Sequence, residues 1–223
     1  MTFAIRVWDL PTRVFHWALS ACVIGSIASA QFGGNAMEWH FLLGYAVFSL
    51  LLFRLIWGFV GGHWSRFATF LYSPRNIFNY IKGHRHPEQA IGHNPMGAIS
   101  VFALLGLLLI QVASGFISDD EIGATGPLVQ FASHATVRFA TFYHKDIGKL
   151  MLIGLIALHI GTIIYYFLKK KENLVHPMIQ GDKRTPINAT NSRDNVQTRA
   201  LALVVILSCA TFVIWFVKVA GSV

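Results

Sequence analysis

Four histidines interrupt long apolar runs of the chain: His16, His40, His144 and His159. An imidazole in such a place is expensive unless its ring nitrogens are used. In HKDIGKLMLIGLIALH (144–159) two of them lie fifteen residues apart. On a helix that is about 22 Å, roughly three quarters of a bilayer's hydrocarbon core, with the rings about 60° apart around the axis. One helix thus offers two imidazoles, toward one side, at two depths. His40 opens another apolar run and His16 lies near the start of a third. Ordered by depth, His40 falls with His144 and His16 with His159, each pair drawn from two different helices. Any one of these histidines can be read as a polar residue hydrogen-bonded to a neighbouring helix. Four that pair by depth suit axial ligation of two haem irons, each held on both faces. An iron held so has no open position and favours electron transfer over oxygen binding.

Gly44 and Gly148 each follow a histidine by four residues, and a missing side chain one turn away leaves room for a flat macrocycle; small-residue helix packing is the plainer explanation. Arg54 stands fourteen residues past His40, at nearly the depth of His159, and a charge there needs a partner such as a haem propionate. Arg13, one turn before His16, has the same opportunity. No Asp or Glu lies inside any apolar run, so a carboxylate-assisted zinc or proton-transport site has little to work with. A transporter using the histidines as zinc or copper ligands remains the rival from another class, and a structural membrane anchor is a third. His63, His84, His86, His134 and His176 read as solvated residues, and His93, before Asn94-Pro95, as a helix cap or a ligand contact.

The elements that would place these groups are membrane helices. Of 223 residues 54% are hydrophobic and only 13% charged, about half the charged fraction usual for a soluble domain. Apolar spans are expected at about 14–31, 39–60, 96–118, 147–168 and 200–217. Gly33-Gly34-Asn35 separates the first two, and Asn94-Pro95 opens the third with a cap and a first-turn proline. Ala28-Ser29-Ala30 resembles a leader-cleavage site, but Asp9, Pro11 and His16 argue for a retained helix. Cys22 and Cys209 lie in apolar runs and suggest small packing residues. In the second connection, SPRNIFNYIKG (73–83) reads as an interfacial helix capped by Ser73, with Ile77, Phe78 and Ile81 toward lipid.

Charge sets the orientation. Thirteen Lys or Arg (Arg6, Arg13, Arg66, Arg75, Lys82, Arg85, Lys169, Lys170, Lys171, Lys183, Arg184, Arg193 and Arg199) flank one side, against Arg138 and Lys145 on the other. The positive-inside rule then puts the N-terminus in the cytoplasm and, after five spans, the C-terminus outside. The same rule accounts for the net charge of +8 without nucleic acid. Asp119, Asp120 and Glu121 form a small outer acidic cluster, either merely solvated or a docking point for a basic partner.

VWDLPTRVFHW (7–17), HFLLGYAVFSLLLFRLIWGFVG (40–61), RFATFLYSPRNIFNYIKG (66–83), GHNPMGAI (92–99), DDEIGATGPL (119–128) and LHIGTIIYYFLKKKENLVHPMIQGDKR (158–184) together resemble the bacterial cytochrome b561 family, which includes the b-type cytochrome subunits of nickel–iron hydrogenases. The resemblance implies an all-α integral membrane fold: a four-helix haem-binding bundle over 1–184, a polar connector at 185–199 and a fifth, more loosely matching C-terminal helix within 200–223. It implies two b haems, with ligands at His16, His40, His159 and a histidine near the outer end of the fourth helix. In the family that outer histidine stands one residue nearer the inner one. Here Lys145 occupies the place and His144 precedes it, a shift of about 100° around a helix. The resemblance further implies a bacterial inner membrane, a quinone at one end of an electron path and a redox protein at the other, either a hydrogenase-like module or a c-type cytochrome. The chain would be an electron carrier or the membrane subunit of an oxidoreductase. Oxidation of superoxide with quinone as acceptor is a second activity within the same resemblance.

Overall fold

The computed structural model describes residues 2–84, 86–120 and 123–221; Arg85 and Glu121 lie outside the described residues. Its helices are α1 (Leu10–Phe32), α2 (Ala36–Val60), α3 (Pro74–Ile81), α4 (Pro95–Phe116), α5 (His134–Phe142), α6 (Lys149–Lys169), α7 (Val175–Gln180) and α8 (Val196–Gly221). A π turn, Tyr143–Gly148, joins α5 to α6 without a break, so the fourth span is a 36-residue helix reaching back to His134. Among the described residues, five helices are long and apolar enough to cross a membrane. Their many exposed apolar side chains, among them Leu150, Ile164, Leu203 and Trp215, would be a liability in water and suit contact with lipid.

Two compact units make up the chain. The first comprises Met1–His16, Phe53–Ala103 and Leu158–Val205. In it β1 (Phe3–Arg6) pairs antiparallel with β2 (Asp182–Thr185), setting Phe3 opposite Thr185 and Arg6 opposite Asp182. The polar run after β2 is bound down rather than loose. Asn191 Oδ1 accepts from the Arg6 amide at 2.7 Å, Ser192 Oγ donates to the Val7 carbonyl at 2.7 Å, and Trp64 Nε1 donates to the Thr190 carbonyl at 2.7 Å. Ile5, Val7, Trp8 and Ile91 form the apolar core beneath. Asp9 caps α1, its Oδ1 accepting from the Thr12 amide at 2.8 Å. Ser73 caps α3 by accepting from the Asn76 amide, and Phe78 and Ile81 of that helix are exposed while Ile77 is half-buried.

The second unit comprises Trp17–Leu52, Leu104–Ala157 and Ile206–Val223. Its core is a four-helix packing of Val23 from α1, Val47 and Leu51 from α2, Leu107 and Leu108 from α4, and Leu152 from α6. Gly33 and Gly34 turn α1 into α2 at φ of 62° and 52°, the left-handed region a side chain would resist. Helix α8 joins through Phe216, whose ring packs on Phe48 and Phe116. The Gln130 side chain donates to the Ala220 carbonyl near its end.

Asp194 ties the polar run to α8 and to the N-terminal segment: Arg199 Nε lies 2.8 Å away, Arg6 Nη1 3.1 Å and Arg13 Nη2 3.8 Å. Burial opposes its ionisation, but the hydrogen bond from Arg199, the Leu10 amide and the charges of Arg199 and Arg6 outweigh it and hold the carboxyl below the usual carboxylate range. A depressed carboxylate stabilises above its unfolded pKa of about 3.9, and the benefit is lost as pH falls through the lower folded value. Limited proteolysis of residues 185–195 should therefore be slow and flat from about pH 8 to pH 5. Asp194→Asn should accelerate it throughout that range and lower stability by about 2 kcal/mol; an unchanged cleavage rate refutes the tie.

Candidate functional site

Each unit holds one histidine pair. In the first unit His16 of α1 and His159 of α6 face one another with ring centroids 6.4 Å apart. In the second, His40 of α2 and His144 of the π turn stand 6.0 Å apart, with their ring planes at 88°. A metal–imidazole bond is about 2.0 Å and the ring centroid lies about 1.1 Å behind its nitrogen, so two axial imidazoles on one iron have centroids about 6.2 Å apart. Both pairs match that separation.

In the second unit the hydrogen bonds orient the rings as well. His40 Nδ1 meets the Ser26 carbonyl of α1 at 2.9 Å, and His144 Nδ1 meets the Gln111 carbonyl of α4 at 2.8 Å. A carbonyl oxygen only accepts, so both Nδ1 atoms carry the proton and both Nε2 atoms present a lone pair. That is the tautomer an iron ligand needs. Between and around the rings lies a cavity of about 310 Å³. Its wall includes Gly44, where an added Cβ would meet nothing within 4 Å, and the cations Lys145 and Lys149. Gly148 is placed differently: it is buried, and a Cβ there would run into the Gln111 carboxamide and the Tyr143 ring. Asp119 and Asp120 line the same cavity, and Asp120 Oδ1 is occupied by the Gly123 and Ala124 amides of its own turn.

In the first unit the surroundings are electropositive. Arg54 is 3% exposed, its guanidinium lies 4.6 Å from the Phe67 ring centroid, and its Nη1 is buried without a hydrogen-bond partner. His93 is held between Trp8 and Phe70, with ring centroids 4.7 and 4.5 Å away, and its Nδ1 is also buried and unpartnered. Burial, then the charges of Arg54, His159 and His16, push the His93 pKa down to about 3, so the ring is neutral at pH 7. His93 does not cap α4. Asn94 does, its Oδ1 accepting from the Gly97 amide at 2.8 Å. Arg13 turns away toward the Ile179 carbonyl and Asp194, leaving Nε buried and unpartnered. Unpartnered cationic and imidazole nitrogens of this kind fit an anionic group such as a haem propionate.

Asp9, a fully buried carboxylate of the first unit, stabilises this arrangement and acts electrostatically on Arg54. Besides capping α1, its Oδ2 accepts from the Gly62 amide at 2.8 Å and the Ser65 hydroxyl at 3.2 Å, and Trp57 Nε1 donates to the same carboxylate. In the sequence alone Asp9 argues only against leader cleavage, because it lies just outside the apolar run. Gln111 carries one signal there, an amide inside LLLIQVASG, which is a pointer to function. Asp9→Ala should strand four donors and remove the carboxylate that offsets Arg54, costing about 3–5 kcal/mol. Thermal unfolding in detergent would read this as a large drop in melting temperature, with Asp9→Asn falling less; a wild-type melting temperature in both contradicts it.

Comparison with known proteins points the same way. The family model described as prokaryotic cytochrome b561 matches residues 7–181. A probable Ni/Fe-hydrogenase B-type cytochrome subunit of Azotobacter vinelandii is 23% identical over 212 residues, covering 80% of this chain and 88% of that protein. One from Rhizobium leguminosarum bv. viciae is 24% identical over 215 residues, covering 81% and 89%. The probable Ni/Fe-hydrogenase 1 B-type cytochrome subunit of Escherichia coli K12 is 24% identical over 172 residues, covering 65% and 71%.

Proposed function

The chain belongs to the prokaryotic cytochrome b561 family, a family of multi-pass membrane b-type cytochromes, and on that premise we propose that it carries electrons through two b haems. One haem lies between His16 and His159, the other between His40 and His144. The observation that carries this reading is the pair of ring separations, 6.4 and 6.0 Å, each matched to a single iron with an imidazole on both faces. A haem iron so held exchanges single electrons and offers no open position to oxygen. The Ser26 and Gln111 carbonyls hold two of the rings in the ligating tautomer. Arg54 supplies the buried positive charge that a propionate neutralises, with Gly44 leaving the cavity wall open beside His40.

The relatives support a redox-enzyme partner. Their names associate them with nickel–iron hydrogenases, and a redox protein of that kind, or a c-type cytochrome, serves as one partner of this chain, with the quinone pool as the other. The excess of Lys and Arg supports a bacterial inner membrane location with the N-terminus in the cytoplasm and the C-terminus in the periplasm. A histidine-based metal transporter fits poorly. A tetrahedral zinc site takes four ligands, and among the described residues no group of three or more His, Cys, Asp or Glu comes together.

A reduced-minus-oxidised visible spectrum with haem quantitation should give two non-covalent b haems per chain. His159→Ala and His144→Ala should each remove one and leave the other. Both haems should be reduced by a quinol in proteoliposomes. A colourless protein after expression with ample haem would overturn the reading, and a single haem would overturn the two-site form of it.

A further inference from the structure

Resting on the two-haem reading, we infer that Gln111 and Gly148 are positioning residues: they hold open the π turn that brings His144 into register with His40. His144 and Leu152 are eight residues apart, and Leu152 is the buried residue by which α6 enters the second unit's core. In an uninterrupted α-helix the two would lie about 80° apart around the axis. A π turn takes up one extra residue, which returns His144 to within about 20° of the Leu152 face. With that rotation its ring reaches the cavity opposite His40, and Nδ1 reaches the Gln111 carbonyl.

A π turn is a rare departure from the helix's own bonding pattern, and a side chain of another helix that bonds to its backbone holds it in place. The His144 carbonyl is held in this way. Gln111 Nε2 donates to it at 2.9 Å, from the same residue whose backbone carbonyl holds the His144 ring. The Gln111 side chain reaches that carbonyl by lying against the bare Cα of Gly148, the space a Cβ would fill. Its Oε1 is buried and unpartnered there, which costs stability. A residue kept only for packing would be better as leucine. Gly148 thus admits the Gln111 carboxamide, Gln111 braces the turn, and the turn aims the ligand.

Three variants test this, with haem content, the low-spin ferric electron paramagnetic resonance signals and the two midpoint potentials as readouts. Gly148→Ala and Gln111→Leu should each weaken one haem about 10- to 100-fold, as loss of a ligand's supporting contact does, and displace its signal and potential. The other haem, held by His16 and His159, should keep its signal and so report an intact fold. Deleting Asp146, an exposed residue of the turn, removes the extra residue and lets a plain α-helix present His144 in the same direction. In that background Gly148→Ala should become tolerated and the displaced signal should return. Both single variants keeping two unaltered haem signals would overturn the inference. So would a Gly148→Ala defect that the deletion fails to relieve. If Gly148→Ala does not fold, Gln111→Leu decides alone: a melting temperature equal to or above wild type with an altered haem signal supports the role, and unaltered haems reject it. His144→Ala is the separate control, because a variant that retains both haems would dismiss the ligand assignment itself.

Discussion

An imidazole surrounded by apolar helices has two nitrogens and no water to satisfy either. Much of the second unit follows from that constraint. A helical carbonyl keeps a second lone pair after its own backbone bond is made, and two such carbonyls, of Ser26 and Gln111, take the Nδ1 protons of His40 and His144. The remaining Nε2 atoms are left with lone pairs at one cavity. The helices α1 and α4, which contribute neither ring, thereby decide which way His40 of α2 and His144 of the π turn point. A carbonyl set by packing is more rigid than a side-chain partner would be, since the whole helix holds it in place.

The first unit answers the same constraint with charge. Arg54 and His93 are packed under Phe67, Trp8 and Phe70 with nitrogens unpartnered, beside the His16–His159 pair. One buried carboxylate, Asp9, is shared among a helix cap, an indole, a hydroxyl and a backbone amide as well as acting on Arg54. Its capacity is spread thin. The surplus of positive and donor groups suits a cofactor that brings its own carboxylates, while burial, helped by the Arg54 charge, keeps His93 neutral at physiological pH.

A polar collar closes this unit. Strands β1 and β2 join chain segments some 180 residues apart, and Asp194 gathers Arg6, Arg13 and Arg199. The family match ends at residue 181, so much of the collar, together with α8, belongs to the part of the chain that lies beyond it. Arg13 is drawn into this collar, which is why its guanidinium faces Asp194 and the Ile179 carbonyl.

Hydropathy and helical period are local properties, and what depends on them was legible in the chain. The spans appear within a few residues of where the apolar runs place them; the exception is the fourth, which extends back to His134. Ser73 and Asn94 cap the helices that their sequence context marks, and depth alone brings His16 to His159 and His40 to His144. Other features needed residues distant in sequence. DKRT carries no alternation that marks a strand, and becomes one only because FAIR lies beside it. Asp9 looks like a solvated residue before a helix until Trp57, Gly62 and Ser65 converge on it. Gly148 read as space for a flat ring, and the space belongs to Gln111, thirty-seven positions earlier. The extra residue before α6 was visible in the sequence, but not how it is absorbed, because the turn that absorbs it is stabilised by a side chain on another helix. Sequence by itself determined which residues enter the membrane and at what depth, since each contributes its own transfer energy. Tertiary structure decided which way they face there, since direction is set by hydrogen bonds between helices.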